Sequence, residues 1–200
     1  MTPKERTQER ILRAFIDLVV EHGYEGTTTR AVAEQAGVNE VTLFRHFGDK
    51  ETLAREAFRR LGPGPALASY EPHIDASDPA LAEAGLRACL VFLRDTMRDH
   101  PMMLNPALRE VFRHVGKIGD ANGIPNIALA LLQRALAQAA PALRPEVDQE
   151  ATAFSLLGLI MVSLMWKRFG WLSFSTNEGD DLLAGALRPL ICWTRDLEHA

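Results

Sequence analysis

The sequence predicts an all-helical protein: an N-terminal three-helix helix-turn-helix domain followed by a larger helical domain. Three observations carry this reading. Nearly every apolar periodicity has the helical period, and no segment of length shows strand alternation bounded by hairpin dipeptides. Two short helices closed by Gly37 and Gly48 are joined by a glycine-containing turn, which is the helix-turn-helix arrangement. The densest punctuation, Gly62-Pro63-Gly64-Pro65, opens a stretch to Pro79 that holds four of the 11 prolines. It divides residues 1–60 from residues 80–200, with 61–79 as a linker.

Helix 1 is expected from Lys4 to His22, with Ile11, Phe15, Leu18 and Val19 on one stripe and Gly23 as its left-handed stop. Thr27, Thr28 and Thr29 each offer a hydroxyl to cap a short helix over Arg30 to Ala36. Asn39 caps the next helix, and Val38 and Leu43 then take the two positions of a hydrophobic staple. Winding at about 100° per residue puts Phe47 about 40° from Leu43, whereas Val41 and Arg45 lie about 160° and 200° away. Leu43 and Phe47 therefore face a core, and Val41, Thr42, Phe44 and Arg45 project outward. Two of these four are apolar, an odd surface for a solvated helix, so the face needs a partner. A DNA major groove supplies one: Arg45 can bond a guanine edge, Thr42 a base or phosphate, and Val41 can touch a thymine methyl. Asp49 caps a further helix, with Leu53, Ala54, Ala57, Phe58 and Leu61 on its stripe. Lys50 falls in that helix's first turn, where the macrodipole disfavours a cation unless a phosphate lies beside it.

Beyond the linker, helices are expected at about 79–99, 101–115, 122–140, 146–170 and 178–198, separated by proline and glycine breakers. The fourth is apolar on nearly every side, from Phe154 to Trp166, and so is buried all round. Its apolar run stops short of the roughly 20 residues a bilayer span requires.

The 200 residues carry 22 Lys+Arg against 26 Asp+Glu, a net charge of −4, with 47% hydrophobic and 24% charged residues. That composition is globular and excludes disordered, collagenous and membrane classes. Residues 1–60 hold ten basic and ten acidic side chains, so the acidic surplus lies beyond them. Cys89 and Cys192 have no ligand or redox spacing and read as buried thiols of a cytoplasmic protein, and the charged, amphipathic N-terminus is no targeting peptide. Enzyme motifs are lacking. Lys117 sits wrongly for a phosphate loop in the glycine-rich stretch 116–123, and the six histidines are scattered, so neither a metal site nor a cofactor is expected.

Thr28-Thr29-Arg30-Ala31-Val32-Ala33-Glu34-Gln35-Ala36-Gly37-Val38, Thr42-Leu43-Phe44-Arg45-His46-Phe47 and Asp49-Lys50-Glu51-Thr52-Leu53 together resemble the DNA-binding domain of the TetR family of transcriptional regulators, over about residues 7–55. The resemblance implies a homodimeric repressor that binds palindromic double-stranded DNA and is released by a small molecule held in the C-terminal domain. It implies DNA contacts at Arg30, at Asn39, Glu40, Val41 and Thr42, and at Phe44, Arg45, His46 and Lys50. Two positions depart from the family pattern. Phe44 replaces a usual Tyr and loses the hydroxyl that reaches a phosphate. Glu40 replaces a basic or small residue and either accepts from a cytosine amino group or simply complements its helix N-terminus.

The resemblance also implies a dimer bundle from the last two helices, with Ser155, Gly158, Leu159, Val162, Leu183, Leu187, Leu190 and Ile191 as its candidates. The effector candidates are Phe92, Met97, Met102, Met103, Phe112, Met161, Met165 and Trp166, methionine suiting an adaptable apolar pocket and the scarcity of charge an uncharged or amphipathic ligand. Arg94 or Arg98 can meet a ligand carboxylate or simply lie solvated. Two alternatives stay open: an activator of the same fold, and a helical interaction module that has lost DNA binding.

Overall fold

The computed structural model describes residues 1–100, 123–169 and 176–192, with side chains over 1–100, 123–165 and 181–192. The regular elements of this part are helices, joined by one isolated bridge between Leu143 and Ile191. Met1–Pro65 belong to one compact unit, and Ala66–Asp99 together with the chain from Ile124 onward to a second.

The first unit contains α1 (Pro3–Gly26), α2 (Thr29–Gln35), α3 (Glu40–Phe47) and α4 (Lys50–Leu61). The Thr2 hydroxyl accepts from the Glu5 amide while the Glu5 carboxylate accepts from the Thr2 amide at 2.6 Å, a reciprocal cap that starts α1 one residue before the expected Lys4. Gly23, at φ +75°, breaks the helical path within α1. One further turn follows it, because the Thr27 hydroxyl donates to the Gly23 carbonyl and the Thr27 amide to the Tyr24 carbonyl. Ile11, Leu12, Phe15 and Val19 of α1 join Val32 of α2, Leu43 and Phe47 of α3, and Leu53 and Phe58 of α4 in one core. Phe15 meets Tyr24 edge to face in that core.

The second unit is built on α6 (Pro79–Asp99), α7 (Ile124–Ala139), α8 (Gln149–Phe169) and α9 (Thr176–Leu187). Leu86, Leu90 and Leu93 of α6 are buried, as are Leu131, Leu132 and Leu136 of α7, Leu156 and Ile160 of α8, and Leu183 and Leu187 of α9. The expected helix at 101–115 lies outside the described residues.

The linker expected over 61–79 includes a short helix, α5 (Gly64–Ser69), whose Leu67 is fully buried. One expectation is corrected here. The last helix, expected to reach residue 198, ends at Leu187, because Pro189 lacks the amide an α-helix needs. The chain continues instead through a 3-10 turn into a short pairing in which the Arg144 amide donates to Leu190 and the Cys192 amide to Ala142. Residues 70–78 cross α6 and α7. The Tyr70 ring stacks on Phe92 at 3.9 Å, Arg134 donates to the Tyr70 carbonyl, and the Ile74 amide donates to Gln138. Gly85 belongs to this crossing. A Cβ there would lie 3.1 Å from the His73 carbonyl oxygen and 3.0 Å from Ile74 Cδ1.

Candidate nucleic-acid interface

Local chemistry sets each bend that places α3. The Thr28 hydroxyl accepts from the Ala31 amide and starts α2. Gly37, at φ +66°, turns the chain through the left-handed region, and the Val38 amide donates back to the Ala33 carbonyl at 2.9 Å. Asn39 Oδ1 accepts from the Thr42 amide at 2.7 Å and caps α3. The Asp49 carboxylate accepts from the Thr52 amide at 2.6 Å and caps α4, and that bond holds its carboxyl below the usual range. Thus three successive helices begin on side chains that bond their own first-turn amides.

Leu43 and Phe47 are buried, as their spacing requires. On the opposite face Val41 is 75% exposed and Phe44 44%, with Arg45 exposed beside them. Thr42 and His46 are half-buried at the edges of that face, and Asn39 stands exposed at its start. Arg30, whose side chain is 80% exposed, pairs with Glu34 one turn along α2 at 3.1 Å. Such an exposed pair is worth little and yields readily to a phosphate.

Two predicted contact residues are engaged inside the unit. Lys50 Nζ donates to the Tyr24 carbonyl at 2.5 Å and sits 4.2 Å from the centre of the Tyr24 ring, so its ammonium ties the start of α4 to the end of α1. Glu40 Oε1 accepts from the Thr29 hydroxyl at 2.6 Å. Partial burial, then Arg45 and, to a smaller extent, Lys4 of α1 hold the His46 imidazole below its ordinary pKa, so Lys4 is a cation near α3 that sequence reasoning missed. No local pattern marks Lys4, because its relation to α3 arises only when the two helices fold together.

The effector and dimer candidates are distributed differently. Met97 is fully buried, Phe92 is covered by Tyr70, Met161 is half-buried and Met165 is exposed. Met102, Met103, Phe112 and the Trp166 side chain lie outside the described residues. None of the described candidates lines the shallow groove of about 550 Å3 formed by Glu71, Pro72, His73, Ile74, Asp75 and Gln138. Arg94 and Arg98 both pair with Asp95.

Among the dimer candidates, Leu183, Leu187 and Ile191 are buried inside the chain's own fold, which leaves them no surface to offer a second copy. Ser155 and Val162 are exposed, while Gly158, Leu159 and Leu190 are half-buried. Phe154, which is 70% exposed, extends the apolar face of α8. Cys89 is buried, and burial pushes its thiol up to about 11, whereas Cys192 is half-buried. Among the described residues no helix is long and apolar enough to cross a membrane.

An exposed, capped helix carried on a second short helix across a glycine turn defines a helix-turn-helix DNA-binding head. The profile of the bacterial regulatory proteins of the tetR family matches residues 11–57, the part of the chain that carries this head. It is 34% identical over 91 residues to the transcriptional regulator TcmR of Streptomyces glaucescens, a match covering 45% of this chain and 40% of that one. Over 47 residues it is 49% identical to YvkB of Bacillus subtilis, covering 24% and 25% of the two chains. These curated relatives are therefore matched over less than half their length. A fuller match, 26% identical and covering 94% of this chain and 86% of the other, is to the repressor Rv3405c of Mycobacterium tuberculosis. The fold is that of NalD, the secondary repressor of a multidrug efflux pump in Pseudomonas aeruginosa, at a TM-score of 0.65 and 19% identity over 94% of this chain and 98% of that one.

Proposed function

We propose that the chain is a cytoplasmic repressor that binds a palindromic operator as a homodimer and is released by a small apolar or amphipathic effector. The outward face of α3 carries the reading: Val41 and Phe44 exposed beside Arg45 on a helix whose inner face is pinned by Leu43 and Phe47. In the groove Arg45 bonds a guanine edge, Val41 covers a thymine methyl and Thr42 reaches a base or phosphate. Arg30, Asn39, His46 and Lys50 meet the backbone, while Phe44 packs against sugar. The exposed apolar face of α8, with Ser155, Gly158 and Val162, takes the second copy. The repressors among the relatives support the sign of regulation, and the methionines of the second unit support an adaptable effector site.

Selection of bound fragments from random-sequence DNA, followed by gel shift, tests this reading. A selected palindrome whose affinity falls about tenfold to a hundredfold in Arg45→Ala is expected. A chain that selects no sequence would instead be an interaction module that has kept the fold, and reporter expression raised by the bound chain would make it an activator.

A further inference from the structure

A carboxylate at the first position of a groove-reading helix repels phosphate, yet Glu40 occupies that position. Its bond to Thr29 changes what the residue can do. The bond is short, charge-assisted and half-buried, and it joins the first turn of α3 to the first turn of α2, eleven residues earlier. Helix α2 forms one side of a triangle, the turn 36–39 a second, and the Glu40 side chain closes it. The turn is otherwise tied near its own base, by the Val38 amide to Ala33 and by Gly37 to Glu34. Without the closing side, the angle of α3 on α2 depends on those local bonds and on the buried Leu43 and Phe47.

We infer that Glu40 is a positioning residue. With Thr29 it forms a clamp that sets the angle of the reading helix, and it governs operator affinity through that angle rather than by accepting from a base. This inference rests on the DNA-binding reading above.

The test uses the full chain and the DNA site that the unaltered protein selects from random sequence, with each variant confirmed fully folded by circular dichroism at the assay temperature. Thr29→Val and Glu40→Ala are each expected to lower affinity for that site about tenfold, and the double variant to be no worse than the weaker single one. Thr29→Ser, which keeps the hydroxyl, stays within about twofold of the unaltered protein. The base preference recovered by repeating the selection is the same for every variant, and the salt slope of the Thr29→Val protein is unchanged. A new preference at one base in Glu40→Ala alone would make Glu40 a base reader and overturn the inference. So would losses that multiply in the double variant, or a Thr29→Ser protein as weak as Thr29→Val. An unaltered protein that selects no site would overturn the DNA-binding reading itself, a result distinct from these.

Discussion

The two units of this chain are organised by different chemistry. In the reading head, Thr2, Thr28, Asn39 and Asp49 each cap a helix, and Gly23, Gly37 and Gly48 take positive φ where the chain bends. Position there is decided by directional bonds between near neighbours. The second unit is held mainly by apolar packing among α6, α7, α8 and α9, and α8 has apolar groups both inside, at Leu156 and Ile160, and outside, at Phe154 and Val162. Apolar attraction is non-directional, so its pattern says that a surface is covered without saying by what. A head of fixed geometry and a unit held by adaptable packing call for these two kinds of sequence.

The largest effect expected is on the inner face of the reading helix. Leu43→Ala empties a fully buried site and should cost about 2–5 kcal/mol of stability, whereas Val41→Ala, on the exposed face, should stay within about 0.5 kcal/mol. Urea unfolding followed by circular dichroism measures both. Equal costs would mean that the two faces of α3 are not partitioned as described.

Next in size is the corresponding experiment on α8. Phe154→Asp combined with Val162→Asp places two charges on its exposed face and should convert a dimer to a monomer at micromolar concentration with helicity retained, as read by sedimentation velocity. A dimer that survives both changes would move the proposed interface off α8.

That contrast also explains what could be read beforehand. The start of α3, the end of α2 and the inward places of Leu43 and Phe47 were legible because caps, glycines and a helical period act over a few residues. Thr2 and Glu5 were equally legible, as a reciprocal cap, but the expected start at Lys4 passed over them. The partners of Glu40 and Lys50 were not legible, since Thr29 lies 11 residues away and Tyr24 lies 26 residues away. The last helix was overextended because the apolar stripe through Leu190 and Ile191 outweighed Pro189, although the missing amide was visible. Effector contacts resist such reading for a further reason. A methionine or aromatic at helical spacing has the same pattern whether it fills a core, as Met97 does, or is covered by another ring, as Phe92 is by Tyr70.

A smaller effect separates the two roles open to Lys50. If its ammonium meets a phosphate, Lys50→Met lowers the magnitude of the salt slope by about 0.9 per head. If it serves only to tie α4 to Tyr24, affinity falls with the slope unchanged. The phosphate contact proposed for Lys50 predicts the first outcome, which anisotropy titrations over a range of salt concentrations should display.

The smallest effect expected belongs to His46, and its sign differs between folding and binding. Partial burial, Arg45 and Lys4 all oppose charging the imidazole in the folded head, so its pKa lies below 6.5 there. The unfolded chain therefore binds the proton more readily near that pH. Stability is complete above pH 6.5 and declines as pH falls through 6.5 and below, by the linkage between proton uptake and unfolding. Operator affinity should move the other way, because a protonated imidazole beside Lys4 and Arg45 adds a charge for phosphate and the DNA offsets the repulsion among the three. His46→Gln should flatten both trends. Unfolding and anisotropy measured in parallel between pH 5.5 and 7.5 resolve them. If affinity and stability fell together on acidification and His46→Gln left both slopes intact, the imidazole would lie outside the DNA contact and some other group would set the pH response of the head.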